Sequence, residues 1–207
     1  RLANMVNSGY SYSGMYFRLE ADIVLNDDVD DEPTEWNPIG GIYNGAICSF
    51  GGNFDGNGHT ISGLYINSNS NRSLVGLFAV SHGTISNLKV TDSKVVSGAS
   101  SSEYVAIICG DNDGIITDCQ ASGRLTSSMD RDKFGAICGS NSNKVVNCTN
   151  KAELYISGGS YAESKEYVGG ICGYLGRDAS SHDDWDFRIE NSINTGDVTA
   201  TGSGNMY

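Results

Sequence analysis

The sequence predicts an all-β protein: a right-handed parallel β-helix, a three-sided solenoid of short strands that begins with a short N-terminal capping helix. Three observations predict it. The chain repeats itself about every thirty residues, each repeat holds three short strand-like blocks, and no stretch between the blocks has helical periodicity. Units of that size cannot bury an apolar face alone and must stack on their neighbours. Three strands per turn, joined by Gly, Ser and Asn, are too short for βαβ units and suit a coil of parallel strands.

The repeat is read from four copies of one block: Val75-Gly76-Leu77-Phe78-Ala79, Val105-Ala106-Ile107-Ile108-Cys109-Gly110, Phe134-Gly135-Ala136-Ile137-Cys138-Gly139 and Val168-Gly169-Gly170-Ile171-Cys172-Gly173. They start 30, 29 and 34 positions apart. A second block follows at Ile85-Ser86-Asn87-Leu88, Ile116-Thr117-Asp118-Cys119, Val145-Val146-Asn147-Cys148 and Ile189-Glu190-Asn191-Ser192, and a third at Val95, Leu125, Leu154 and Val198. Stacked rungs lie roughly 4.8 Å apart, so each alignment column becomes a ladder. Val75, Val105, Phe134 and Val168 form one inward apolar ladder; Phe78, Ile108, Ile137 and Ile171 form another. Asn87, Asp118, Asn147 and Asn191 make a polar ladder at a bend, where Asx side chains cap backbone groups. Lys94, Arg124, Glu153 and Asp197 precede the third apolar column and face outward by alternation, with Arg124 and Glu153 as a cross-strand pair.

Before the repeats, Leu2, Met5 and Val6 fall at helical spacing and Ser8-Gly9 ends that helix. Its expected task is to cover the first rung, whose strand edge would otherwise offer unpaired backbone groups. Phe17, Leu19, Ala21, Ile23 and Leu25 alternate with polar residues and read as one strand. Asp55 through Gly58 supply positive-φ positions for a tight turn between two strands.

The stretch from Phe50 to Ile66, with Phe54-Asp55-Gly56-Asn57-Gly58-His59-Thr60-Ile61, resembles the signature that precedes GLUG-motif repeats. Val75-Gly76-Leu77-Phe78 with Gly83-Thr84-Ile85-Ser86-Asn87 resembles the GLUG unit itself, and Trp36-Asn37-Pro38-Ile39-Gly40 extends the likeness over nearly the whole chain. The resemblance implies a parallel β-helix from an exported or surface-attached bacterial protein, and no single activity. Similar repeats accompany some immunoglobulin A metalloproteases and many adhesin-like proteins, but this chain has no H-E-x-x-H zinc motif. It departs from the pattern in carrying Cys where GLUG units more often have Val, Ala or Gly, and in a long insertion in the fourth repeat. The expected organisation is one β-helix domain over 1–207, with a cap and first rungs in 1–74 and four GLUG-like repeats in 75–207. The chain reads as a segment of a longer protein, with a further unit expected after Met206-Tyr207.

Composition limits the partners. Twenty-seven Gly and two Pro indicate many tight turns between short strands. A net charge of −12 disfavours nucleic acid and anionic lipid, which need a basic face. No apolar run approaches the ~20 residues that span a bilayer.

Of six Cys, Cys109, Cys138 and Cys172 share one column and Cys119 and Cys148 another, so they read as small buried apolar side chains rather than disulfide or zinc partners. Rung spacing does fall within reach of a disulfide. His59 and His82 sit in Gly-containing turns and His182 in the insertion; all three read as solvated turn residues. The pectin-cleaving β-helix enzymes pose an alternative, but His182-Asp183-Asp184 and Ser81-His82-Gly83 fall in different repeats, and the 13 Lys and Arg are scattered.

Two sites remain as expectations. The acidic loop with Asp27, Asp28, Asp30 and Asp31 is a candidate Ca²⁺ site, the one cofactor considered, against a solvated loop as the plainer reading. In the fourth-repeat insertion, Trp185 and Tyr174 could stack on a sugar while Asp183, Asp184 and Asp186 accept its hydroxyl hydrogens; a Trp185 that covers the side of the coil is the plainer reading. The expected function is a non-catalytic structural or adhesive module at the bacterial surface or outside the cell. It would present loops to an extracellular host protein or glycan, with end-to-end self-association through the C-terminal rung. The rival is a carbohydrate-binding or carbohydrate-cleaving module, supported if Trp185, Tyr174 and two carboxylates converge in one groove. A pure spacer would show no concave pocket.

Overall fold

A computed structural model describes residues 1–68, 73–98, 104–128, 133–157, 167–176 and 187–201. It is a parallel β-solenoid with one short helix, Leu2–Asn7. Apolar residues recur at one or two positions per block because each side of the coil is only a few residues long, and the inward positions are all that the core needs.

One side stacks Tyr16–Arg18, Asn53–Asp55, Thr84–Ser86, Ile115–Thr117, Lys144–Val146 and Arg188–Glu190 in that order. The second stacks Ile23–Val24, Thr60–Ser62, Lys89–Ser97, Gln120–Ser127, Thr149–Asn150 and Ile193–Asn194, and widens to take in Tyr65–Asn67, Glu153–Ser157 and Val198–Thr201. The third side is double. Leu74–Val75, Tyr104–Val105, Lys133–Gly135 and Tyr167–Gly169 form one ladder, and Phe78–Ser81, Cys109–Asn112, Cys138–Asn141 and Cys172–Leu175 the next. These pairings are parallel.

Most predicted columns are in register. Ile85 faces Ile116, Val145 and then Ile189; Val95 faces Leu125, Leu154 and then Val198; Val75 faces Val105, Phe134 and then Val168. The Phe78 column is shifted by one from expectation: Phe78 stands opposite Cys109, which leads to Cys138 and Cys172. The first unit has one residue fewer between its two short strands, so a large aromatic occupies the place that the cysteines fill above it. Phe78, Cys109 and Cys138 are fully buried, and all six cysteines are free thiols. The Sγ atoms of Cys119 and Cys148 donate to the carbonyls of Thr117 and Val146 at 3.1 and 3.3 Å.

The Asx bend is a ladder of left-handed residues: Asn87, Asp118, Asn147 and Asn191 have φ of 52, 54, 55 and 48°. Asn and Asp take this conformation at lower cost than other L residues. Their side chains also brace rung to rung, with Asn87 Nδ2 donating to Asp55 Oδ1 at 3.0 Å and Asn147 Nδ2 to Asp118 Oδ1 at 3.1 Å. At the other end of the first side, where the chain arrives from the doubled side, a Cβ on Gly114 would fall onto the Gly83 carbonyl of the preceding rung, so glycine is what lets the backbones approach there.

One first-third reading changes. The alternating run from Phe17 to Leu25 is two strands, Tyr16–Arg18 and Ile23–Val24, on two sides of the coil, because the chain turns a corner between them. The Asp55–Gly58 turn joins two strands as expected, at a corner between two sides, with φ of 54 and 78° at Asn57 and Gly58. A hairpin lies elsewhere: Gly41–Tyr43 pairs antiparallel with Ala46–Cys48 across Asn44-Gly45, whose φ values of 52 and 78° fit a type I′ turn.

The helix buries Ala3 and Val6 in the same apolar cluster as the ladders. Asn7 fastens its end, donating from Nδ2 to Pro38 O at 3.1 Å and accepting from Gly40 N–H at 2.8 Å. At the other end the columns lose cover. Val145 and Leu154 are buried, but Ile189, Ile193 and Val198 are 38, 59 and 43% exposed.

Candidate functional site: a polar cleft on the doubled side

Ladder register brings together residues that are far apart in sequence. Val80, Asp111, Ser140 and Tyr174 form one column, and Leu74, Tyr104, Lys133 and Tyr167 form another. His82, Asp113 and Ser142 follow the strand ends beside the first column, and Ile47 reaches in from the hairpin. Between them opens a cleft of about 290 Å³.

Lys133 anchors it. The side chain is nearly buried, and its Nζ lies 4.4 Å from the Tyr104 ring centre and 4.0 Å from that of Tyr174. Nζ also donates to Tyr104 Oη at 3.2 Å, and Tyr167 packs edge-on against Tyr174 at 5.1 Å. Ring faces compensate a desolvated ammonium only in part, so the remaining charge is directed at neighbouring acids.

Asp111 is one of them. Burial and, after it, the nearby Asp113 push its carboxyl up to about 6, although Ser140 hydrogen-bonds it and the charges of Lys133 and His82 pull the other way. Asp113 is held differently, with its Oδ2 3.3 Å from His82 Nε2. Ser49 Oγ lies 3.3 Å from His82 Nδ1. His82 is the exposed turn residue expected, and it also joins this polar network. The cleft thus holds two carboxylates, an ammonium, an imidazole and three hydroxyls, a set able to accept and donate hydrogen bonds over a short span.

Tyr174 is the one residue of the predicted insertion site that falls within the described residues, and it stands over Lys133. Trp185, Asp183, Asp184 and Asp186, with His182, lie outside them. Sequence reasoning missed Asp111, Asp113 and Lys133. One signal was visible: Tyr104 and Tyr167 each precede a repeat start, and Lys133 takes that position in the copy between them.

The acidic loop is tied to the second side of the coil through Asp30. Asp30 is gripped by Arg124 at 2.5 and 2.7 Å and by Lys94 at 2.8 Å, which holds its carboxyl down at about 2. Asp28 Oδ1 accepts the Asp30 N–H at 2.8 Å. Among the described residues no three His, Cys, Asp or Glu side chains converge as a metal site, and Asp27 and Asp31 join no such group. Arg124, expected to pair with Glu153, is beside it in register but turns its guanidinium to Asp30. His59 Nδ1 lies 3.1 Å from Asp22 Oδ1.

No family model matches the chain. Over 110 residues it is 36% identical to a "Putative Gly-rich membrane protein" of Evansella cellulosilytica, which covers 52% of this chain and 12% of that protein. Over 123 residues it is 33% identical to Halomucin of Haloquadratum walsbyi, covering 56% of this chain and 1% of that protein. The chain therefore spans a small fraction of the length of the curated relatives it matches. Among solved structures it is similar to one described as a "putative immunoglobulin A1 protease" from Bacteroides ovatus, with a TM-score of 0.61 and 19% identity over 96% of this chain and 65% of that one. At that identity the likeness establishes the fold, and the fold is a β-helix.

Proposed function

We propose that this chain is a non-catalytic structural and adhesive β-helix module of a secreted or surface-attached bacterial protein, and that its doubled side meets an extracellular ligand. The observation that carries the reading is the concave polar cleft around Lys133, Asp111 and Asp113, a feature that a pure spacer has no use for. Its side chains are set by rung register on a rigid ladder, which suits recognition better than a loop would. The similarity to a Gly-rich membrane protein supports a place at the cell envelope.

The test is protease shaving of intact cells that carry an epitope tag inside this segment of the full-length protein. Loss of the tag, with a cytoplasmic marker spared, is the expected result. A tag protected until the cells are broken would overturn the surface reading.

Carbohydrate cleavage is a second reading, favoured by one observation: Asp111, a carboxyl raised to about 6 chiefly by burial, stands near a second carboxyl, Asp113. Release of new reducing ends from neutral polysaccharides by the wild type and not by Asp111→Asn would establish it. No release by either would remove it.

A further inference from the structure

The cleft's own chemistry narrows what it takes. Asp111 and Asp113 place two acidic groups there against one ammonium, on a chain whose net charge is −12. That field disfavours anions, including acidic sugars and phosphates. A metal cation is disfavoured by Lys133, whose fixed positive charge faces the same acids. A hydrophobic ligand would take Asp111 and Asp113 further from water without offering them a hydrogen bond in exchange.

A neutral polyhydroxy ligand meets none of these obstacles. Carboxylates accept from neighbouring hydroxyl groups and Lys133 donates to hydroxyl oxygens, while Ser140 and Ser142, whose hydrogens go to Asp111 and the Gly176 carbonyl, offer oxygens that accept. Ile47, 66% exposed on the hairpin, and the Tyr104 ring supply apolar surface for C–H faces. The volume of about 290 Å³ lies at the small end for ligand sites, which fits one or two sugar units rather than a long chain. Lys133 is already fixed between two tyrosine rings, so little side-chain freedom is lost on binding.

We propose that the cleft over the doubled side of the solenoid is a binding site for a neutral sugar, held through Asp111, Asp113, Lys133 and Ser140. The proposal rests on the reading that this side meets an extracellular ligand, and it names the ligand class. Asp111 faces Asp113, Ser140, Lys133 and His82, so the site has its full set of acceptors only above pH about 6.

The test is an NMR titration of the 207-residue chain with glucose, galactose, mannose and N-acetylglucosamine in turn, with glucuronic acid as the charged comparison. At least one neutral sugar is expected to shift the amides of Asp111, Asp113, Lys133 and Ser140. Asp113→Asn should weaken it about tenfold with the melting temperature unchanged, as loss of a charged acceptor does. Affinity should also fall as pH drops through about 6. The proposal is overturned if no neutral sugar binds at tens of millimolar, if shifts map elsewhere, if glucuronic acid binds best, or if a folded Asp113→Asn binds as the wild type does. Such a failure leaves the shaving result, and with it the surface reading, intact; a tag protected in whole cells leaves sugar binding in the purified chain to be judged by itself.

Discussion

Asp30 and Asp111 are aspartates of one solenoid, each beside a lysine, and their carboxyls are displaced in opposite directions. Asp30 sits half exposed over the second side and receives both Arg124 and Lys94, which hold it at about 2. Asp111, on the doubled side, is largely withdrawn from water, lies near Asp113 and rises to about 6 although the Lys133 charge pulls it down. The difference lies in how many cations are supplied per acid and how much water each acid keeps. A carboxylate with surplus cations ties a loop down. One kept short of them, in a cleft, costs stability and leaves hydrogen-bonding capacity unspent, which is a mark of sites.

The comparison can be broken most forcefully at Lys133. Lys133→Met removes the ammonium from the Tyr104 and Tyr174 rings and the charge that pulls the Asp111 carboxyl down, and at neutral pH the loss should be about 2 kcal/mol in urea unfolding, the scale for a desolvated cation on aromatic faces. Stability that does not change would show that the lysine compensates nothing.

Asp111→Asn should act in the opposite direction. A folded carboxyl that titrates near 6 rather than at 3.8 is penalised when ionised, fully so above about 6 and not at all below 3.8. The substitution should therefore stabilise the neutral-pH fold by roughly 1–3 kcal/mol, a gain that disappears below pH about 4. A gain that persists in acid would point to packing instead of charge.

Asp30→Asn should destabilise slightly, because the depressed carboxyl contributes above 3.8 and its contribution is lost as pH falls through about 2. The pair is exposed, so about 1 M salt should erase most of the effect. Direct carboxyl NMR titration perturbs nothing and sharpens the contrast most finely, with midpoints near 6 for Asp111 and near 2 for Asp30.

The ladders were legible in the sequence because each inward position is repeated: Ile85, Ile116, Val145 and Ile189 announce one another. The Asx corner was legible for the same reason. Features that occur once were harder to read. Asn44-Gly45 is a strong hairpin signal that the repeat analysis passed over, and the Phe17–Leu25 alternation looks the same whether the chain runs straight or turns a corner. The cleft was hidden because Asp111, Asp113, Lys133 and His82 belong to successive units and occupy columns where the repeats differ. Only the register, shifted by one at Phe78, brings them together. The four insertion residues from Asp183 to Asp186 fall outside the described residues.

The left-handed Asx corner carries an evolutionary consequence. From that corner to the third apolar column the spacing is seven residues in each of the last three units: Asp118 to Leu125, Asn147 to Leu154 and Asn191 to Val198. All the length variation among those units falls on the remaining arc, between Leu125 or Leu154 and the next corner. That arc carries Lys133, Tyr167 and Tyr174. The corner works as a fixed ruler: duplication must copy whole turns, while changes of length fall between the third apolar column and the next corner. Lineages can thus lengthen that arc without renegotiating the core.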